Sequence, residues 1–262
     1  MDCARIQKSP FPLGPVLAES WKVFAGRFWT ILIIVLIVYV PVEVVIAVFS
    51  PNPEHSYALR DLAQSIRVSS FMMLLVGTLL PLAIGLLVEG ELTGRRVDWW
   101  QAMRHALSRW RSGVATNFLK ALALMATFLL LIVPGIIYSV YFAFAICAVA
   151  IRGQSLRAAL SYSKSLVQGR WWTVFGVMLV AWLMMIAWLA VTGIAREEFA
   201  PASLALDVAV GLVGDVGVTL FAVVSVVYFL ALDAKAAEPQ AATPPESAGA
   251  PADPEAMPER QG

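Results

Sequence analysis

Six runs of apolar residues divide this chain, and each is long enough to cross a lipid bilayer. They occupy residues 30–49, 68–88, 114–133, 134–151, 173–193 and 206–232. A membrane-spanning helix needs about 20 mostly apolar residues, because the hydrocarbon core is about 30 Å thick. The pattern therefore predicts an all-α, polytopic integral membrane protein with about six transmembrane helices.

The third and fourth runs abut, so their separation needs an argument. Residues 121–151 carry no charge and are interrupted only by Pro134 and Gly135. A single helix of this length would measure about 46 Å, well beyond the hydrocarbon core. Proline disfavours a helical residue before it, and glycine adopts turn conformations readily. We therefore predict a tight hairpin at Pro134, with a re-entrant pair that stops short of the far side as the alternative.

The segments before the first, third and fifth runs have apolar residues at intervals of three and four, which is typical of one face of a helix. The faces comprise Leu13, Leu17, Trp21, Phe24 and Phe28; Trp100, Met103, Leu107, Trp110 and Val114; and Leu156, Ala159, Leu160 and Val167. Asp98 with Gln101 predicts a capping box for the second helix, and Ser155 an N-cap for the third. Gly169 is the predicted end of the third helix, as Gly26 is of the first.

Two of these segments resemble each other in sequence. Residues 20–31 align with residues 163–174 without gaps, and Ser, Gly, Arg, Trp and Thr coincide. We predict three parallel repeats, each an amphipathic cytoplasmic helix followed by a two-span hairpin, at residues 13–90, 97–151 and 155–232. The alternative is that any interfacial helix leading into a span carries basic and aromatic residues.

The ends of the chain differ from the membrane domain predicted over residues 13–233. Residues 1–12 form an N-terminal arm, and residues 1–26 lack the apolar region of a cleavable signal peptide. Residues 234–262 are rich in Pro, Ala and Glu, which predicts a disordered cytoplasmic tail that cannot bury enough apolar surface to fold.

The basic residues predict the orientation of the spans. With the N-terminus in the cytoplasm, all 19 Lys and Arg residues except Arg60, Arg67 and Arg196 fall on the cytoplasmic side. This distribution follows the positive-inside rule and predicts that both termini are cytoplasmic. Because the formal net charge is only +1, no overall positive field is available to bind nucleic acid.

The predicted cytoplasmic surface carries both aromatic and basic side chains. Indole rings prefer the headgroup region, and cations near the surface attract anionic lipid by about 1 kcal/mol each. The interfacial aromatic candidates are Trp29, Trp99, Trp100, Trp171 and Trp172, and the candidate contacts to anionic headgroups are Arg27, Arg104, Arg109, Arg111 and Arg170. Membrane lipids are thus the predicted partners, protein partners are left open, and anchoring alone is the simpler alternative.

Two carboxylates fall inside predicted spans. Glu43 lies two residues after Pro41, and Asp215 lies among the glycines of the last run, where glycine permits close helix approach. A carboxylate at this depth costs a few kcal/mol unless it is protonated, hydrated or paired. One interpretation is an ion- or solute-responsive site; the other, which we expect for Glu43, is a position at the outer interface.

Several motifs resemble a largely uncharacterised family of bacterial membrane proteins. These motifs are Pro134-Gly-Ile-Ile-Tyr138, Phe142-Ala-Phe144, Ala158-Ala-Leu160 and Gly169-Arg-Trp-Trp172. The family includes YciC-like proteins and the membrane domain of some glycerophosphoryl diester phosphodiesterases. The resemblance implies a multi-pass protein of the bacterial inner membrane without catalytic residues. This chain has Tyr141, Cys147 and Arg152 where relatives often have Arg, Pro and Glu, so any polar role of those positions is not transferred.

No sequence pattern indicates a catalytic, cofactor-binding or metal site. His55 and His105 lie on separate segments, as do Cys3 and Cys147. Ser161-Tyr-Ser-Lys164 matches an S-x-x-K pattern, but its companion motifs are absent and its predicted side of the membrane is wrong. We therefore expect a non-enzymatic membrane protein that organises lipids or partner proteins. The alternatives are a transporter or channel-like protein with a site at Glu43 and Asp215 and, less favoured, an intramembrane enzyme.

Overall fold

The structure is a computed structural model, and it describes residues 13–49, 74, 77–199 and 203–241. Within these residues the chain is helical and contains no strand. The helices are α1 (Leu13–Gly26), α2 (Phe28–Phe49), α3 (Leu79–Thr93), α4 (Trp99–Leu130), α5 (Ile132–Tyr141), α6 (Ala145–Arg152), α7 (Leu156–Val167), α8 (Trp171–Phe199) and α9 (Leu204–Ala241). The all-α prediction is confirmed for this part of the chain.

Five segments of the described chain are long and apolar enough to span a membrane. They are Phe28–Val45, Trp99–Leu129, Ile132–Arg152, Trp171–Ala195 and Ala205–Ala237. These segments correspond to five of the six predicted runs. The remaining run, residues 68–88, lies partly outside the described residues, and α3 covers only its last part.

Helix α3 lies at the centre of the bundle. Leu80, Leu82, Ile84 and Leu87 are almost completely buried, although a helix with one apolar stripe would bury only part of its surface. Neighbouring helices α2, α4, α6 and α9 all pack against it. The long helices α4 and α8, in contrast, expose most of their apolar side chains to the exterior of the bundle.

The chain reverses direction at Leu131, three residues before the predicted hairpin at Pro134. Leu131 is extended, with φ −164° and ψ 143°, and it separates α4 from α5, which pack together. Pro134 lies in the first turn of α5, where its missing N–H costs no helix hydrogen bond. A Cβ on Gly135 would overlap the Phe128 ring, so this glycine permits the close packing of the two helices.

The fourth predicted run is two short helices instead of one. Helix α5 ends at Tyr141 and α6 begins at Ala145. Ser163 of α7 fills the break, because its hydroxyl donates to the carbonyl of Tyr141 (2.7 Å) and accepts from the N–H of Phe144 (3.1 Å). A side chain distant in sequence thus satisfies backbone groups that an unbroken helix would pair internally.

The second amphipathic helix is not a separate element, because α4 continues from Trp99 through the third span. Its N-cap is Asp98, but no side-chain bond caps the helix, so the predicted capping box with Gln101 is wrong. Ser155 is the N-cap residue of α7, as predicted, but its side chain likewise makes no cap hydrogen bond. There the N–H of Leu156 instead binds Thr116 Oγ1 of α4 (2.8 Å).

The first and third amphipathic helices pack against the bundle. Helix α1 packs along α9 and buries Val16, Ser20, Val23 and Phe24, whereas Trp21 is 60% exposed. The buried face is therefore rotated from the predicted one. Helix α7 packs against α4, α5 and α6. The buried faces of α1 and α7 therefore meet protein, whereas Trp21 of α1 faces the exterior.

The aligned segments at residues 20–31 and 163–174 differ in local conformation. Gly169 has φ +81° and lies in the break between α7 and α8. Its counterpart Gly26 is the last residue of α1, and helical hydrogen bonds from Arg27 to Val23 and from Ile31 to Arg27 continue into α2. The three-repeat arrangement therefore stays a prediction.

Helix α9 extends beyond the predicted end of the last span. It continues to Ala241, so residues 234–241 of the predicted disordered tail are helical. The rest of that tail, residues 242–262, and the predicted arm, residues 1–12, lie outside the described residues.

Candidate functional site

Glu43 of α2 lies inside the bundle, where α2 packs against α9. The residue is only 7% exposed, and a Cβ on Gly211 of α9 would overlap its carboxylate. Tyr39, one helical turn before Glu43, is also buried. Our expectation that Glu43 points to the outer interface is therefore wrong: the absence of a side chain at Gly211 makes room for the carboxylate within the helix contact.

Asp215 belongs to the same region of the α2–α9 contact. It lies one turn after Gly211, and Tyr39 is close enough to Asp215 and Glu43 for both carboxyl groups to act on it electrostatically. The carbonyl of Asp215 accepts a bond from Thr219 Oγ1 (2.8 Å), which is fully buried. We call Tyr39, Glu43, Gly211 and Asp215 the α2–α9 site.

The other glycines of α9 allow α8 to approach closely. A Cβ on Gly217 would overlap the Trp188 ring, and one on Gly214 would lie 3.4 Å from Thr192 Oγ1. Trp188 Nε1 donates to the carbonyl of Val213 at 3.2 Å. The predicted role of glycine in close helix approach is thus confirmed for Gly211 and Gly217, whereas a Cβ on Gly214 would make an ordinary contact.

A second polar cluster, not predicted from the sequence, joins α6, α7 and α9. Asp233 is 5% exposed, and it accepts hydrogen bonds from Arg152 Nη2 and from the hydroxyl of Tyr162. Burial raises the pKa of Tyr162, and the hydrogen bond to Asp233 raises it further. One feature of the sequence could have indicated this cluster: Asp233 directly follows the last apolar run, and a carboxylate needs a partner when it is buried. The sequence did not identify the partners, which are 71 and 81 residues away.

Two of the five arginines predicted to contact lipid bind groups of the protein itself. Arg109 Nη1 donates to the carbonyls of Val149 (2.7 Å) and Ala150 (3.1 Å) at the C-terminal end of α6. A cation is favourable there because the last carbonyls of a helix carry partial negative charge. Arg27 pairs with Glu91 at the end of α3, at 2.6 Å.

The other three arginines differ in exposure. Arg104 and Arg111 are exposed on α4, and Arg170 is half-buried before α8. Four of the predicted interfacial tryptophans, Trp29, Trp99, Trp100 and Trp172, expose large parts of their rings. Trp171 instead stacks on Phe175 with ring centroids 5.0 Å apart and donates to the carbonyl of Ile137 (3.4 Å). The sequence pattern did not distinguish these environments.

An apolar groove of about 510 Å³ lies between α1, α8 and α9. Its wall includes Leu17, Trp21, Phe24, Met184, Trp188 and Leu220. Trp21 and Met184 are exposed at this surface, so the groove opens toward the exterior of the bundle. All its lining residues are apolar or glycine, which favours a hydrocarbon occupant over a polar solute.

The described part of the chain contains no group of three or more His, Cys, Asp or Glu residues that could hold a metal ion. The α2–α9 site has two carboxylates and one phenol, a smaller donor set than a structural zinc or calcium centre uses. Two carboxylates and a phenol can bind a proton or a cation.

Comparison with known families identifies a match for part of this chain. Residues 102–239 match a family described as a domain of unknown function, DUF7847. The matched region, more than half of the chain, runs from the first turn of α4 into the end of α9. It contains Asp215, Arg152 and Asp233 but not Glu43. The comparison shows neither the YciC-like nor the phosphodiesterase family, and no curated protein and no solved structure matches.

Proposed function

We propose a transporter- or channel-like role in the membrane for this chain, which belongs to the DUF7847 family of domains of unknown function. The proposed ligand is a proton or a small monovalent cation bound at the α2–α9 site. The observation that carries this proposal is the burial of Glu43 against Gly211, in a helix contact where Tyr39 lies close to both Glu43 and Asp215.

The energetic argument starts from the cost of placing a carboxylate in a span. That cost is about 2.5–3.5 kcal/mol on insertion scales for a charged residue at mid-membrane, and side chains that incur it usually serve an ion or proton pathway. Asp215 lies one helical turn from Gly211, against which Glu43 packs. Two carboxylates in one helix contact repel when both are ionised, and a bound proton or cation offsets that repulsion. A Gln at position 43 or an Asn at position 215 would supply similar bulk without the charge.

Thermal unfolding of the detergent-solubilised protein tests this proposal without knowledge of the transported solute. The probes are Na⁺ and K⁺ against choline at equal ionic strength, and protons between pH 5 and pH 8. A ligand at 100 times its Kd stabilises the native state by about 2.7 kcal/mol. We expect the wild type to respond to one probe and Glu43→Gln to lose that response. Asp98→Asn, which removes an exposed carboxylate at the start of α4, is the matched control.

Flux measurements complete the test. Proteoliposomes that contain a pH-sensitive dye should show protein-dependent proton or cation movement under an imposed membrane potential, and Glu43→Gln should abolish it. If Glu43→Gln responds like the wild type in both assays, the α2–α9 site is not a transport site.

The proposed location is a bacterial inner membrane, with six spans and both termini in the cytoplasm. Its support is the positive-inside distribution of Lys and Arg in the sequence. Single cysteines introduced at Gly94 and Gly153, in a chain with both native cysteines replaced by Ser, should resist an impermeant thiol reagent applied from outside. A cysteine at Glu198 should react. Reaction at position 153 would refute this topology.

The second candidate is a non-enzymatic role in organising lipids or partner proteins. The observation that favours it is the apolar groove between α1, α8 and α9, which opens to the exterior where hydrocarbon would surround α8 and α9. If the cation assays fail while the protein retains specific lipids through purification, this second role becomes the better one.

A further inference from the structure

The outward face of α4 combines cations and apolar side chains in one continuous stripe. Arg104, Leu107 and Arg111 are exposed in its first half, and Phe118, Leu122 and Met125 are exposed in its second half. The intervals between successive members are three, four or seven residues. At 3.6 residues per turn, all six fall on one face of the helix.

Arg109 lies on the opposite face of α4. Arg109 is two residues from Arg111, a separation of roughly half a helical turn. It is directed into the bundle, where it donates to the carbonyls at the end of α6. Ala102 and Ala106, on the inward face, are fully buried. The helix therefore separates one structural arginine from two arginines that point away from the protein.

The charge around the outward stripe is strongly positive. Arg95 and Arg96, in the loop before α4, are also exposed. Asp98 is the one acidic residue between positions 94 and 130 of the sequence. This region would attract an anion, and guanidinium groups match the geometry of a phosphate.

The length of the stripe matches a lipid leaflet. At 1.5 Å per residue, Phe118 and Met125 lie about 10 Å and 21 Å along the axis from Arg111. Half of the hydrocarbon core is about 15 Å thick and each headgroup region adds about 5–7 Å, so a lipid whose phosphate lies at the level of Arg111 would extend about as far as Met125. The stripe therefore has cations at the headgroup end and hydrocarbon contacts at the acyl end.

We propose that the outward face of α4 binds an anionic phospholipid. Arg104 and Arg111 contact its phosphate, and Phe118, Leu122 and Met125 contact an acyl chain. This lipid site is distinct from the α2–α9 site, and it does not depend on the cation-transport proposal. The proposal also excludes Arg109 from the lipid contacts, although Arg109 lies between the other two arginines in the sequence.

Native mass spectrometry of protein released from phosphatidylglycerol–phosphatidylcholine nanodiscs tests the site. We expect Arg104→Gln/Arg111→Gln to reduce retained phosphatidylglycerol severalfold relative to phosphatidylcholine. The matched control is Arg157→Gln/Lys164→Gln, which removes two exposed charges from α7 and should change retention less than twofold. Equal losses in both double variants would indicate a general surface field and overturn the site, as would no loss in the first.

Two further variants test the geometry of the site. Arg104→Lys/Arg111→Lys keeps the charge but loses the planar fork, so retention should lie between wild type and the Gln variant. Phe118→Ala/Met125→Ala should weaken retention of dioleoyl-phosphatidylglycerol more than that of its dihexanoyl analogue, because only the long chain reaches these positions. An equal effect on both lipids would refute the acyl-chain contact.

Discussion

Gly217→Ala should destabilise the protein, although alanine is the better helix former. A Cβ at position 217 would overlap the Trp188 ring, and a rigid indole cannot move aside as easily as the end of a flexible side chain. The displacement would also disturb the bond from Trp188 Nε1 to the carbonyl of Val213 (3.2 Å). Overpacking costs about 1–3 kcal/mol and a lost hydrogen bond about 1 kcal/mol.

Gly193→Ala is the matched control for this change. Gly193 lies within α8, and a Cβ there would meet nothing within 4 Å. Both substitutions gain the helix propensity of alanine over glycine, about 1 kcal/mol, so this gain cancels when the two variants are compared. The difference between them isolates the overlap and the hydrogen bond, and should be roughly 2–4 kcal/mol.

The assay is thermal unfolding in detergent, followed by size-exclusion chromatography of fluorescently tagged protein. Gly193→Ala should match or exceed the wild type in stability, and Gly217→Ala should fall below it. In a Trp188→Leu background, Gly217→Ala should cost much less, because the ring that causes the overlap is gone. A Gly217→Ala variant as stable as Gly193→Ala would refute the close α8–α9 contact at this glycine.

Three further predictions concern the polar contacts between distant helices. Asp233→Ala should lower the free energy of unfolding by about 2 kcal/mol, because two hydrogen bonds to a buried carboxylate are lost; this value is reduced for the partial exposure of Arg152. The control is Asp98→Ala, at an N-cap without a side-chain bond, which should change the free energy of unfolding by less than about 0.5 kcal/mol. Arg109→Gln should lower thermal stability without loss of phosphatidylglycerol, whereas Arg104→Gln/Arg111→Gln should do the reverse; the opposite pattern would contradict the assignment of these arginines to the two faces of α4. The pKa of Tyr162 is raised in the folded state, so the contribution of Tyr162 to stability is complete below its ordinary pKa of about 10 and is lost as the pH rises through the higher folded-state pKa. Wild type should therefore lose more stability than Tyr162→Phe between pH 9 and pH 11. Equal losses would show that Tyr162 is not the group responsible.

Local sequence determined which segments are helical and apolar. Five of the six predicted runs coincide with segments able to span a membrane, because the length of an uncharged run and the thickness of a bilayer are sufficient for that inference. The bounds of α1 and α7 also follow from local signals: Gly26 and Gly169 lie at or just after their last turns. The close approach at Gly211 and Gly217 was likewise predictable, since a missing side chain leaves space whatever the neighbour is.

Tertiary structure decided where each polar side chain finds its partner. Glu43 lies inside the bundle because α9 presents Gly211 to it, and Asp233 is buried because Arg152 and Tyr162 arrive from two other helices. The break before α6 is filled by Ser163, a residue of the next helix. Helical periodicity shows which residues share a face, but it does not show whether that face meets lipid or another helix. An apolar side chain is accommodated equally well by protein and by hydrocarbon, so its own chemistry does not decide between the two. The packing of neighbouring helices decides it, through contacts between residues far apart in the chain.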